Sequence, residues 1–278
     1  MLIADRDDRY RFVTQPAHAA VAGQFAERWG TDTIADPAPS AAVVAATYNH
    51  DNGWYEYDCQ PHRDDDGDLI GFRDVPPERS VTFYEDGIDS VAELDAYAGI
   101  LASLHGSGIR QQRYGLSPEM PAADDPHYEA FVDSEERRQR RLAEKLQRAG
   151  DDRFTDEDAD ALAALHDTGG PPSKESRLWR NYALLQTLDT LSLAVCATLG
   201  PGEETTLPGT PSMADGLTVA AVDETAFRLD PYPFGSAPLT VDVPTRTVEK
   251  ESLTGEADLF ERYYGSRQTS LAVSLRPA

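Results

Sequence analysis

The sequence predicts a mainly α-helical bundle that carries a small antiparallel β-sheet, an α+β protein overall. Before residue 200, apolar residues recur at helical spacing in most segments. After residue 200, Pro, Gly and Thr become common, and runs such as LTVAAV, FRLDPYPF, LTVDVP and SLAVSLRP are typical of short strands. We therefore predict a single domain over residues 1–278, with the helical bundle in 1–200 and a β-rich subdomain in 201–278.

Turn and helix-end signals predict the elements before residue 90. The opening MLIADRDDRYRFV predicts a hairpin that joins the C-terminal strands, because a DRDD turn separates an apolar run from an alternating one. QPAHAAVAGQFAERWG and PSAAVVAATYNHDNG predict two helices, since Pro16 suits a first helical turn and Gly30 and Gly53 suit helix ends. Residues 54–88 are rich in Pro, Asp and Gly, which predicts a long ordered loop.

The segments between residues 89 and 200 predict four more helices. DSVAELDAYAGILASLHGSG predicts one amphipathic helix that ends near Gly106. DPHYEAFVDSEERRQRRLAEKLQRAG and TDEDADALAALHDTGG predict two charged helices with solvated faces. SKESRLWRNYALLQTLDTLSLAVCATLG is the most apolar segment, so we expect its helix at the centre of the bundle.

The chain is strongly acidic. It has 49 acidic and 25 basic residues, a formal net charge of −24, and its only lysines are Lys145, Lys174 and Lys250. Dense carboxylates with few lysines favour a protein kept soluble in concentrated salt, because a Debye length of about 3 Å at molar salt weakens their repulsion. We expect a halophilic archaeal protein, with an ordinary acidic bacterial protein as the alternative. The charge argues against nucleic-acid binding, since a phosphate backbone would be repelled.

Several sequence features bear on the compartment and the partners. Cys59 and Cys196 are too few for a disulfide framework. No basic segment followed by an apolar core opens the chain, so we expect no signal peptide. The longest apolar run, residues 182–198, is interrupted by polar side chains and is not expected to span a membrane. We predict a cytoplasmic protein that acts on a small molecule and has no membrane partner.

Ionisable residues on apolar helices are the candidate site. His18, His50 and His105 each lie on a predicted apolar helix, Asp51 follows His50, and Asp189 is the lone acid in LLQTLDTLSL. A charge inside an apolar helix is costly unless it is paired or bound to a metal. Imidazole and carboxylate ligands suit divalent Fe, Mn, Zn, Ni or Mg rather than a soft thiolate site. The pattern therefore predicts a divalent metal site built from these five residues.

Each candidate also has a purely structural interpretation. His18 could pack near a helix start, and His105 could offset the dipole at the end of its helix. Asp189 could form an ion pair with Arg177 or Arg180. Only the joint occurrence of these residues favours a site.

The order His18, His50-Asp51, Asp189 resembles the H…HD…D signature of the HD superfamily of metal-dependent phosphohydrolases. The resemblance implies an HD-like helical bundle in which His18, His50, Asp51 and Asp189 bind one metal ion. It also implies that Asp51 bridges to a second ion with help from His105, and that Asp51 and His105 are the catalytic residues. A metal ion in such a site activates water near neutral pH.

A second His-Asp pair competes for this role. His166-Asp167 in LAALHDTGG also precedes a glycine. We favour His50-Asp51, because the surroundings of His166 are those of a surface helix and little chain separates it from Asp189.

The resemblance implies a hydrolase of HD type that acts on a small phosphorylated or otherwise anionic molecule. We predict that Trp54, Tyr182, Gln186 and Arg180 line its substrate pocket. Two alternatives stay open: a di-iron oxygenase on an HD-like bundle, and a non-catalytic ligand-binding or structural protein with a degenerate site.

A resemblance along nearly the whole chain rests on five motifs. TQPAHAAVAGQFAERWG, HDNGW, YAGILASLH, LLQTLDTLSL and LDPYPF together resemble the uncharacterised family called domain of unknown function 3891. This resemblance supports the order of the elements and implies no activity.

Overall fold

The fold combines helices with one large β-sheet. The computed structural model describes residues 1–120, 124–173, 176–208, 210, 213, 215–253 and 259–278. About 52% of the chain is helical and about 19% lies in a mixed seven-stranded sheet that curls as a half-barrel. The protein therefore has an α/β fold, and the prediction of a mainly α-helical, HD-like bundle with a small antiparallel sheet is wrong.

The sheet has the strand order β1-β2-β6-β7-β5-β4-β3. Its strands are β1 Leu2–Asp5, β2 Arg9–Val13, β3 Glu204–Leu207, β4 Leu217–Ala221, β5 Ala226–Asp230, β6 Leu239–Glu249 and β7 Gln268–Pro277. Strands β5 and β7 run parallel, and the other neighbours run antiparallel. The N-terminal hairpin β1–β2 joins the sheet because β2 pairs with β6.

Two long strands make the sheet larger than predicted. Strands β6 and β7 pair from Leu239 opposite Leu275 to Arg246 opposite Gln268. Strand β7 also pairs with β5, so it connects the two halves of the sheet. A parallel pair between segments far apart in the chain leaves no local sequence signal. The sequence therefore predicted strands here without predicting a mixed sheet.

The described helices are α1 Gln15–Ala26, α2 Ser40–Asn49, α3 Tyr55–Asp58, α4 Pro77–Leu94, α5 Ala96–Gly108, α6 Pro126–Ala149, α7 Asp156–Thr168, α8 Arg177–Leu193 and α9 Leu259–Gly265. Not one of them is both long and apolar enough to cross a lipid bilayer.

Helices α4 and α5 differ from the prediction. Residues 77–88, expected in a loop, form the first part of α4, which begins at Pro77 and buries one face. The run predicted as a single helix is broken at Asp95, whose backbone is extended (φ −152°). The Asp95 side chain accepts a hydrogen bond from the Ala98 backbone N–H, so it caps α5 where α4 ends.

Helix α8 lies against α1, α2 and α5 and is buried along nearly its whole length. Ser176 caps its start by accepting from the Trp179 N–H, and Thr14 caps α1 by accepting from the Ala17 N–H. Because these four helices converge, polar side chains on their inner faces come together.

Candidate metal centre

Five buried ionisable side chains meet where these helices converge. His18 lies on α1, His50 and Asp51 directly follow α2, His105 lies on α5 and Asp189 lies on α8. Each is at most 4% exposed. His18, His50 and Asp51 each offer a possible ligand atom within 4.8 Å of the others, and so do His50, His105 and Asp189. The structure thus brings together two groups that share His50.

The end of α2 explains how the adjacent residues His50 and Asp51 both reach the cluster of ionisable side chains. His50 keeps helical backbone angles, whereas Asp51 departs from them (φ −121°, ψ 21°) and starts the turn Asn52–Trp54. Gly53 in this turn packs directly against the backbone of Phe83 on α4, where a Cβ atom would clash. The glycine therefore serves a close approach to α4, whereas α2 itself already ends at Asn49.

His18 is held between α8 and Asp51. Its Nδ1 lies 2.7 Å from Ser192 Oγ, and the Ser192 hydroxyl donates to the Asp189 backbone carbonyl at 2.8 Å. Because that hydroxyl has one proton, His18 must donate to it from Nδ1. His18 Nε2 lies 2.9 Å from Asp51 Oδ2.

His50 has a similar arrangement. Its Nδ1 lies 2.8 Å from the Thr47 carbonyl, which can only accept, so Nδ1 carries a proton. Its Nε2 lies 3.5 Å from Asp189 Oδ1 and 3.8 Å from Asp51 Oδ2 without forming a well-aligned hydrogen bond. Burial alone lowers the pKa of His50, but Asp51 and Asp189 outweigh it and raise the pKa to about 9.

Both carboxyl groups are ionised at neutral pH. Burial raises the pKa of Asp51, yet the charges of His50 and His18 bring it below its usual range. Burial acts the same way on Asp189, but the nearby His50, 3.5 Å away, and the charge of Arg113 hold its pKa well below that range. Asp51 Oδ2 also accepts from Gln15 Nε2 at 3.2 Å, while no described residue donates to the buried Oδ1.

Arg113 is a site residue that the sequence did not predict. It is 5% exposed, and its guanidinium donates to Asp189 Oδ2 at 3.0 Å. Gln112, Arg113 and Tyr114 all have positive φ angles, between 51° and 53°, which non-glycine residues rarely adopt. Such strained backbone persists where the surrounding structure enforces it, and it is concentrated at functional sites.

A cavity of about 350 Å³ opens beside these residues. Its lining includes His18, Asp51, His105 and Asp189. Burial lowers the pKa of His105 to about 3, so this ring is neutral.

Aromatic and basic side chains line the rest of the cavity. Trp54, Tyr84, Tyr128, Arg73 and Arg110 all contribute. The guanidinium carbon of Arg110 lies 3.9 Å from the ring centre of Tyr128 and 5.4 Å from that of Tyr84. An anionic, partly aromatic ligand would match this lining.

The four residues predicted to line the substrate pocket do not all lie at this cavity. Trp54 lines the cavity. Gln186 is fully buried and hydrogen-bonds His105 Nδ1 at 3.0 Å, and Tyr182 is fully buried with its ring 5.5 Å from that of Tyr114. Arg180 lines a separate cavity beside Trp29.

The competing pair His166-Asp167 lies outside this centre. Asp167 is exposed, and His166 is half-buried with Nε2 2.6 Å from Gln139 Oε1. Neither residue lines the cavity described above.

Comparison with known proteins shows the family. No curated protein and no solved structure matches the chain significantly. The family model described as protein of unknown function (DUF3891) matches residues 1–250, as the sequence motifs predicted, whereas the HD-superfamily pattern has no such support and stays a prediction. The chain therefore belongs to the DUF3891 family.

Proposed function

We propose that this protein is a metal-dependent hydrolase that acts on a small anionic molecule, with a phosphorylated compound as the first candidate. The observation that carries the proposal is the convergence of His18, His50 and Asp51 with their ligand atoms turned toward one another. Ligands that bind one ion at about 2.0–2.2 Å lie no more than about 4.4 Å apart. The possible ligand atoms of these residues lie within 4.8 Å of one another, so only small side-chain shifts would bring them to that spacing.

The hydrogen bonds of the two histidines support a ligand role. His18 and His50 both donate from Nδ1 to protein acceptors, so Nε2 is the nitrogen that each ring would offer to a metal ion. Such an ion would take the place of the proton that lies between His18 Nε2 and Asp51 Oδ2. A donated ring N–H of this kind is what orients histidine ligands in metal sites. Asp51 Oδ1 is buried without a donor among the described residues, and a cation would satisfy it.

The local charge supports a cation as well. Arg113 compensates Asp189, whereas among the described residues only His18 and Gln15 hydrogen-bond the Asp51 carboxylate. The raised pKa of His50 reflects the same deficit of positive charge. A bound divalent ion would compensate this deficit. The ion would also supply Lewis acidity and a water of lowered pKa. Mixed imidazole and carboxylate ligands favour Fe, Mn, Ni or Zn over Mg.

Two arginines support an anionic substrate. Arg73 and Arg110 line the cavity, and neither lies within 4.0 Å of a carboxylate of the described residues. Arg110 is instead held against the ring of Tyr128, which leaves its donors available to an anion. Arg180, the residue that we predicted for this role, is not needed for it.

Metal loading tests the ligand assignment. Purified protein is incubated in turn with Mn²⁺, Fe²⁺, Ni²⁺, Zn²⁺ and Mg²⁺, desalted, and measured by plasma mass spectrometry. We expect His50→Ala to lose the metal while keeping the helical circular dichroism signal. The matched control is His127→Ala, because His127 is half-exposed and, among the described residues, its one ion pair is with Asp125 at the start of α6. Equal metal content in both variants would refute the ligand role of His50.

Phosphate release tests the reaction. The metal-loaded protein is assayed against nucleotides, sugar phosphates and p-nitrophenyl phosphate, with Asp51→Asn as the inactive variant. Hydrolysis that requires both the metal and Asp51 is expected. Metal binding without hydrolysis of any of these compounds would favour the non-catalytic alternative.

One observation favours an oxygenase as the second candidate. The two groups together offer three histidines and two carboxylates, which could hold two ions if His50 binds only one of them. A di-iron centre would show two irons per chain and an absorbance that changes on exposure to oxygen. One ion per chain would exclude it.

A further inference from the structure

The third histidine of the centre is held differently from the other two. We infer that His105 is a hydrogen-bond donor to the bound anion and not a metal ligand, and that Arg113 and Gln186 hold it in that state. The inference deepens the proposed function and rests on it for the presence of an anion in the cavity. Its first step, the position of the ring proton, depends on neither metal nor substrate.

Arg113 fixes the orientation of the Gln186 amide. The guanidinium has donors only, and its Nη1 lies 2.5 Å from Gln186 Oε1. A reversed amide would turn two donors toward each other inside the core. The other terminal nitrogen, Nη2, donates to Asp189 Oδ2, so the guanidinium is anchored to two residues of α8.

The amide in turn fixes the proton of His105. Because the oxygen of Gln186 faces Arg113, its Nε2 faces His105 Nδ1, at 3.0 Å. An amide nitrogen can only donate, so Nδ1 must accept and carries no proton. A neutral imidazole then has its single proton on Nε2.

This state leaves no lone pair of His105 for a metal. The lone pair of Nδ1 is bound by Gln186, and Nε2 carries the proton. A metal between His50, His105 and Asp189 would have to break the bond to Gln186 and strand a buried amide group. In His18 and His50 the arrangement is reversed, since both donate from Nδ1, so Nε2 is the nitrogen that can give up its proton to a metal ion.

The proton on His105 Nε2 has no acceptor among the described residues. His105 nevertheless lines the cavity together with Asp51 and Asp189. An N–H group at this position suits an oxygen atom of an anionic ligand. His105 would donate a hydrogen bond to that oxygen, which requires no proton transfer.

The strained segment explains how Arg113 reaches this position. Three successive left-handed residues turn the chain back after α5, so that Arg113 enters the core. Tyr114 is buried beside it, with its hydroxyl 2.8 Å from Ser107 Oγ. The segment therefore places a positioning residue behind the histidine.

Nitrogen NMR of histidine-labelled protein tests the ring proton directly. The His105 signals are assigned from their loss in His105→Phe. We expect wild-type His105 to be protonated on Nε2 and not on Nδ1, with or without metal. Gln186→Glu presents a carboxylate to Nδ1 and should move the proton there, whereas a structural role alone would leave it in place. A wild-type ring protonated on Nδ1 would overturn the inference.

Metal content and phosphate affinity test the role. His105→Phe should keep the Mn²⁺ content of the wild type, in contrast to His50→Ala. It should bind inorganic phosphate about ten- to a hundredfold more weakly in calorimetry of the Mn²⁺-loaded protein, since one hydrogen bond to a charged group is lost. Loss of Mn²⁺ in the folded variant, or unchanged phosphate affinity, would refute the donor role. Absence of Mn²⁺ from the wild type would instead refute the proposed function and leave the NMR test intact.

Discussion

The buried pair between Arg113 and Asp189 offers the sharpest test of the electrostatics of the centre. Arg113→Met removes the guanidinium and keeps a side chain of similar length. Methionine has a Cβ atom like arginine, so the strain of the left-handed backbone at this position stays. The difference in stability therefore reports the loss of the charge and of its hydrogen bonds to Asp189 and Gln186.

The expected loss is large because both partners are buried. Each side chain is 6% exposed, and removing one member of a buried ion pair costs about 3–5 kcal/mol. Since about 2–4 °C corresponds to 1 kcal/mol in a chain of 150–250 residues, the melting temperature should fall by about 6 °C or more. The pKa of Asp189 lies well below its usual range, so its stabilisation is present above pH 4 and is lost as the pH falls. The deficit of the variant should therefore shrink toward acidic pH.

The assay is thermal melting of metal-free protein at pH 7 and at about pH 3, below the usual pKa of an aspartate, completed as a double-mutant cycle with Asp189→Asn. Removing both charges should cost less than the sum of the single losses, with a coupling of at least about 1 kcal/mol. Additive losses, or an Arg113→Met variant as stable as the wild type, would refute the argument that this pair compensates a buried charge.

Three further predictions follow from individual groups. The pKa of His50 is raised from 6.5 to about 9, so its charge stabilises the metal-free protein fully below pH 6.5, and this stabilisation is lost as the pH rises through 9. The difference in melting temperature between the wild type and His50→Gln should therefore shrink between pH 6.5 and pH 9. Dilution from molar to low salt should lower the melting temperature, because the net charge of −24 is then unscreened, and a flat response would contradict this. Gly53→Ala should lower the free energy of unfolding by about 1–3 kcal/mol through a clash with the Phe83 carbonyl, whereas Gly265→Ala, where an added Cβ meets nothing within 4 Å, should be tolerated.

The positions of the pocket residues follow from helical geometry. Successive residues are about 100° apart on a helix, so Gln186 and Tyr182 share the face of Asp189, whereas Arg180 lies about half a turn away from it. Arg180 accordingly lines the other cavity, and Gln186 lies behind His105. The prediction for Arg180 used closeness along the chain and neglected the face of the helix.

Features with a local sequence signal were predicted better than features that depend on contacts between distant segments. Lone polar residues on apolar helices pointed to His18, His50 and Asp189, because burial of such groups has a cost that sequence patterns reveal. Arg113 lies in the polar segment GIRQQRYG, which resembles a surface loop and gives no sign of three left-handed residues. The parallel pairing of β5 with β7 likewise depends on contacts between distant segments.

The chain as a whole is negatively charged, whereas three arginines line the cavity, which bears on how an anion reaches the centre. The surface carries an excess of carboxylates, which attracts divalent cations and repels anions at long range. At 0.1 M ionic strength the Debye length is about 10 Å, so most of that repulsion is screened before an anion enters the cavity. The positively charged side chains that line the cavity are those of Arg73, Arg110 and Arg113. Arg110→Gln should therefore weaken phosphate binding to the Mn²⁺-loaded protein at both low and high salt, because a contact inside a cavity is screened less than a surface charge. A loss confined to low salt would show that Arg110 acts only through the long-range field and does not contact the anion.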